Sequence, residues 1–141
     1  MKRALLTSIA IALLTGCGGA TPAGGPPAFE VEPNLIVQST SGLSVSVWTA
    51  PSPPVKGVNA LRLAFSDGAG PVAASDVSAT VWMPAHGHGT SVKPTFDAAE
   101  EGAFEAARVV FFMDGRWEVR GELRESPGGA TDSFIAAFDV R

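Results

Sequence analysis

Residues able to do metal chemistry are few in this chain and unevenly placed. Beyond the initiator, the sequence holds two Met and two His. Three of these four fall within Met83-Pro84-Ala85-His86-Gly87-His88, and Met113 is the fourth. His86 and His88 stand two apart, a spacing that in extended backbone sends both imidazoles to one side. Gly87 and Gly89 leave the chain free to bend them towards a common point. Such a pair can chelate. Thioether sulfur is a soft donor, and together with imidazole it selects copper, above all Cu(I), over the oxygen-seeking calcium and magnesium. A neutral set of Met83, His86, His88 and Met113 leaves no open position, which suits storage, delivery or sensing better than redox catalysis. A second reading of the same residues stands beside it. Both Met fall on the inward phase of strand-like runs, where Met packs far more often than it ligates, and His-Gly-His-Gly then serves as a solvated loop.

Other chemistry finds less support. Ser91 and Asp97 lie near the histidines in sequence, but no G-x-S-x-G elbow is present to activate a nucleophile. Asp97, Glu100, Glu101, Glu105 and Glu118 are accounted for as solvated charges that keep strand edges from pairing. Gly68-Ala69-Gly70 and Gly128-Gly129 lack the Lys-Ser/Thr or the following helix of a phosphate cradle, and read as turns. No enzyme is expected. Fourteen acidic residues against ten basic give a net charge of −4. Without the first sixteen residues the basic count falls to eight, and a nucleic-acid partner is not expected from so acidic a chain.

The one cysteine, Cys17, excludes an internal disulfide and a Cys-based zinc cluster. Its setting gives it another purpose. Lys2 and Arg3 form a positive start, Ala4 to Leu14 an apolar run too short to span a bilayer, and Leu14-Thr15-Gly16-Cys17 a small-residue cleavage site. This pattern resembles a bacterial lipoprotein signal, in which the Cys is acylated and becomes the mature N-terminus, each buried methylene adding about 0.8 kcal/mol of anchoring. Residues 1–16 are therefore expected to be a signal peptide. Residues 17–28, with their GGATPAGGPP run, are expected to be a lipidated Cys and an extended tether. The protein is placed in the cell envelope, lipid-anchored on the periplasmic face. Gly18 in place of Asp favours the outer membrane over the inner, by resemblance to the sorting of Gram-negative lipoproteins.

The elements that must position the candidate donors are strands. From Phe29 onward apolar residues mostly alternate, and no stretch carries a sustained helical stripe. The inward sets are Leu43, Val45 and Val47, then Leu61, Leu63 and Phe65, then Val77, Ala79, Val81 and Met83. Phe104 to Met113 supplies one further segment or two. Trp117, Val119, Gly121 and Leu123 follow the Asp114-Gly115 turn, and Phe134, Ala136, Phe138 and Val140 close the chain. Ala98 to Ala107 allows at most a turn of helix. About seven short strands over residues 29–141 fit an all-β, immunoglobulin-like antiparallel sandwich better than a barrel or an α/β fold.

The stretch Trp82-Met83-Pro84-Ala85-His86-Gly87-His88-Gly89, with Lys93-Pro94, Phe104, and Val110-Phe111-Phe112-Met113-Asp114-Gly115-Arg116-Trp117 after it, resembles the YtkA-like family, relatives of the FixH-like proteins, over about residues 58–141. The resemblance implies a small, often lipidated envelope protein with an immunoglobulin-like sandwich, and several relatives stand beside copper handling or copper-oxidase assembly. It implies Met83, His86, His88 and Met113 as the metal donors, although at Ala85-His86 many members carry another Met or a different spacing. Trp117, four residues after Met113, is a candidate to shield a bound monovalent copper by a cation–π contact, against the commoner role of a core Trp. The expected partners are the membrane, through the lipid, and an envelope copper-handling protein. The contrasting expectation is a metal-free interaction module of the envelope.

Overall fold

The computed structural model describes residues 25–141; the signal segment 1–16, Cys17 and most of the tether lie outside the described residues. Period-two burial drives the architecture. In β2 (Ser44–Ala50) every second side chain is buried, and the same holds along β5 (Asp76–Met83), β9 (Gly115–Arg124) and β10 (Asp132–Val140). Strands with one apolar face must cover it against another sheet. Here the two inner faces meet in one core that includes Val45, Val47, Leu63, Phe65, Val81, Phe111, Trp117, Val119 and Phe138. Each such side chain contributes roughly 1.5–3 kcal/mol by leaving water.

One sheet runs β1 (Leu35–Gln38), β2, β3 (Gly57–Asp67), β8 (Phe104–Phe111) and β7 (Asp97–Ala98), with β4 (Gly70–Pro71) folded back on β3. The other runs β10, β9, β5 and β6 (His88–Gly89). Every pairing is antiparallel. Strands β2, β3, β8 and β7 occupy the places of A, B, E and D in the immunoglobulin arrangement, and β10, β9, β5 and β6 those of G, F, C and C′. Strand β1 is an added edge outside β2. The all-β, immunoglobulin-like sandwich read from the alternation is the fold, with seven strands of four or more residues.

Two local features depart from simple alternation. Strand β8 is one strand, not two. Between Asn59↔Val109 and Leu61↔Ala106 the register advances two residues on β3 and three on β8, a bulge that shifts the buried phase of β8 from Ala106 to Val109 and Phe111. Strand β1 carries no long alternating run, and its pairing comes from tertiary contacts instead. The Asn34 carboxamide oxygen accepts from the Thr49 hydroxyl at 3.1 Å and from the Thr49 amide, pinning the entry to β1 against β2. The one helical turn in the Ala98 to Ala107 region is a 3-10 turn at Glu100–Gly102, after which β8 begins at Phe104.

Candidate metal centre

Met83 is the last inward residue of β5 and is only 3% exposed. Pro84 follows, and its fixed φ suits the first position of a helical turn. The chain accordingly leaves β5 through a 3-10 turn, Pro84–His86, closed by Gly87 at φ 67°. Left-handed backbone there lets the Gly87 N–H donate to the carbonyls of Met83 (3.1 Å) and Pro84 (3.3 Å), and the chain reverses. His88 then lies directly across from Met83 in the β5–β6 ladder. Opposed residues of an antiparallel pair put their side chains on one face. His88 thus shares the core-facing side with Met83, out at the rim.

The route by which the two imidazoles meet differs from the extended backbone expected from their spacing. His86 belongs to the 3-10 turn and His88 to a strand, and the tight reversal at Gly87 brings the rings together edge to face. Their centres are 5.5 Å apart. Both side chains are exposed. Two imidazoles bound to one ion at about 2 Å per nitrogen would hold their ring centres roughly 5–6 Å apart, the range in which this pair falls.

Met113 lies in the β8–β9 turn, half-buried against the core. Gly115 opens β9 at φ 130°, and a Cβ placed on it would come within 2.6 Å of the Met83 terminal methyl. The Met83 side chain therefore reaches over Gly115, two residues from Met113. Met83 and the histidine turn lie where β5 leaves, and Met113 precedes the start of β9, two residues before the glycine that the Met83 side chain reaches. They differ in access: the histidines stand in solvent, Met113 is half-covered, and Met83 lies beneath.

Trp117 is wholly buried. Its ring packs on Phe111 with centres 5.7 Å apart, and its indole N–H donates to the Met113 carbonyl at 2.9 Å. Through these contacts Trp117 fastens the turn that carries Met113 to the core. Among the described residues no three His, Cys, Asp or Glu side chains group as a metal cluster. Of the other candidate carboxylates, Glu100 lies in the 3-10 turn and Asp97, Glu105 and Glu118 lie on strands. Glu105 pairs with Arg62 at 3.5 Å, Glu118 with Arg120 at 2.7 Å, and Asp97 lies across from Glu105 in the β7–β8 ladder. Among the described residues no helix is long and apolar enough to cross a membrane.

Two constellations were not evident from residue types and spacing. On the outer face of the β10-β9-β5-β6 sheet, Arg120 stacks over the Trp82 ring at 5.0 Å while its guanidinium holds Glu118. The register that brings this trio together, Trp82↔Glu118 beside Thr80↔Arg120, is fixed only by β5–β9 pairing. The second is a bracket between turns. Asp132 accepts from the Thr40 hydroxyl (2.6 Å), the Ser41 hydroxyl (2.5 Å) and the Ser41 amide (3.0 Å), joining segments more than ninety residues apart. Partial burial pushes its carboxyl upward, but the hydroxyl and amide donors of Ser39, Ser41 and Thr40 outweigh it and hold the group well below the usual carboxylate range.

The all-β, immunoglobulin-like sandwich gives the class by fold. The YtkA-like family model matches residues 38–122, and the chain belongs to that family. The match starts earlier than the resemblance at residue 58 implied, taking in β2 and the whole of β3, and ends before β10. No curated protein and no solved structure matches the chain significantly.

Proposed function

We propose that this protein is a non-enzymatic, lipid-anchored envelope lipoprotein whose sandwich binds one copper ion for storage or delivery. The donors are His86 and His88, with Met113 and Met83 as thioethers. The observation that carries the reading is the pair of exposed imidazoles held 5.5 Å apart by the Gly87 reversal, with His88 directly across from Met83. Imidazole with thioether is a donor set for soft, monovalent copper. Exposed histidines permit exchange of one ligand at a time with a copper-handling partner. The thioethers, one half-covered and one beneath, favour Cu(I) over harder ions. Cys17, acylated, would hold the domain on the periplasmic face of the outer membrane, and the Gly/Pro run would set its reach.

Anaerobic titration with Cu(I) against a competing chelator tests this. One equivalent is expected to bind, and to be lost in the His86→Ala/His88→Ala variant. Absence of binding tighter than micromolar would overturn the proposal and favour the metal-free interaction module. That second reading draws on the burial of Met83, which packing alone explains.

A further inference from the structure

The outer faces of the two sheets differ in kind. On the β10-β9-β5-β6 sheet the face is charged: Arg116, Glu118, Arg120, Glu122 and Arg124 alternate along β9 with core residues. The outer face of the other sheet is apolar by comparison. Leu35 and Val37 of β1 pack against the core, so Ile36 between them faces out and is 60% exposed. On β8, Val109 and Phe111 lie in the core, so Arg108, Val110 and Phe112 take the outer phase. Val58 lies directly across from Val110, which places Phe112 diagonally beside Val58 on that face. Val58 is 60% exposed and Phe112 49%. Among the described residues six large apolar side chains are exposed, and Ile135 alone belongs to the charged sheet.

Two further observations bear on what meets this corner. Lys56, two residues before Val58, and Arg108, two residues before Val110, are exposed and take no part in the ion pairs among the described residues. An apolar centre thus lies between two unpaired cations, and Asp114 is the one acid in the adjoining β8–β9 turn. The second observation is the course of the chain. Trp48 lies across from Arg62 on this same outer face, and its indole N–H donates to the Val31 carbonyl at 3.4 Å. The segment leading back towards Cys17 therefore crosses the apolar face, not the charged one.

We propose that the corner of the β1-β2-β3-β8 sheet bearing Val58 and Phe112 rests on an anionic lipid surface. The apolar side chains enter the headgroup boundary, and Lys56 and Arg108 meet the lipid phosphates. The proposal rests on the lipid-anchored reading and stands independently of copper. A protein partner fits less well. Ile36, Val58 and Phe112 together fall far short of the roughly 800 Å² that a stable protein interface takes from each side. A domain already held at a bilayer by its anchor needs only a small bias to fix its orientation, because the second contact is made at high effective concentration. The net charge of −4 adds to that bias: anionic lipid repels most of the surface and attracts this corner.

The test uses the mature acylated chain in nanodiscs of phosphatidylcholine with phosphatidylglycerol, some headgroups carrying a gadolinium chelate, and reads the relaxation of main-chain amides by NMR. Amides of residues 55–58 and 108–112 are expected to relax at least about threefold more than those of Arg120 and Ile135 on the charged face. Val58→Thr/Phe112→Ser changes only exposed side chains and should erase the contrast with the sandwich intact. Discs of phosphatidylcholine alone should weaken the contrast in the unaltered chain, a comparison that needs no variant to fold. Three results would overturn the proposal. They are enhancement spread evenly over both faces, which would return the corner to a protein partner; enhancement greatest at Arg120 and Ile135; or the same contrast without anionic lipid. The mass of the purified chain reports acylation of Cys17 separately. Should the chain carry no acyl group, the lipid-anchored reading fails, and the same discs added to it in solution still decide the corner: contrast at Val58 and Phe112 supports it, and its absence overturns it.

Discussion

Trp117 holds the carbonyl of Met113 through its indole N–H at 2.9 Å, across the turn that joins β8 to β9. The indole is wholly buried, so one end of this bond is fixed by the core and the other sets where the Met113 side chain starts. Trp117→Phe keeps an aromatic ring against Phe111 but leaves the carbonyl without its donor. Loss of a hydrogen bond to a partly buried group costs about 1–3 kcal/mol, and the smaller ring adds a cavity term. The urea midpoint is expected to fall accordingly, with unchanged far-ultraviolet dichroism. A variant as stable as the original would show that the bond does not anchor the turn.

The two methionines should separate in their effects. Met113 is half-exposed in the β8–β9 turn, whereas Met83 is 3% exposed and fills space over Gly115. Leu conserves volume at either site and is expected to cost less than about 1.5 kcal/mol in stability. Under the copper proposal Met113→Leu weakens Cu(I) binding by about tenfold or more, the loss of one soft donor, and Met83→Leu weakens it less. Equal and negligible effects of both substitutions would remove sulfur from the site and leave only the imidazole pair.

Strand identity was legible wherever side chains simply alternate. Val77 to Met83 and Trp117 to Leu123 each expose one buried face at a period of two, and both form the strands expected of them. What escaped was set by distant partners. The β8 bulge interrupts the period, so Phe104 to Met113 reads as one segment or two until β3 supplies the register. The entry to β1 is pinned by Asn34 and Thr49, which bond across fifteen residues. At the candidate centre, residue types named only candidate donors, and Pro84 dictated the 3-10 turn that replaced the expected extended backbone at His86. The bracket at Asp132 left no local signal, since Thr40 and Ser41 are ordinary turn residues until the sheets close.

Gly115 is expected to tolerate no side chain. Its φ of 130° lies where L-residues are strained, at a cost of about 1–3 kcal/mol, and an added methyl would come 2.6 Å from the Met83 methyl. Gly115→Ala should therefore destabilise the sandwich and also shift Met83. In the Gly115→Ala/Met83→Ala double variant the steric part disappears while the backbone strain persists, so the two costs should sum to more than the measured total. Strict additivity in urea unfolding would show that Met83 does not lie over Gly115.

The Asp132 bracket makes stability depend on acidity with a definite sign. Its carboxyl is held below the usual range in the folded chain by the Ser39, Ser41 and Thr40 donors, which overcome partial burial, and it returns to an ordinary value near 4 on unfolding. Above that ordinary value both states are ionised and the stabilisation is fully present. As pH falls below it the unfolded chain takes up a proton that the folded chain refuses, and the stabilisation drains away until the folded group is itself protonated. Water screens this half-exposed group, which limits its worth at neutral pH to about 1 kcal/mol. Asp132→Asn should lower the urea midpoint at pH 7, and the gap between variant and unaltered chain should close progressively between about pH 5 and pH 2. A gap that stays constant over that interval would mean that the ionised form of Asp132 is not what joins the two turns.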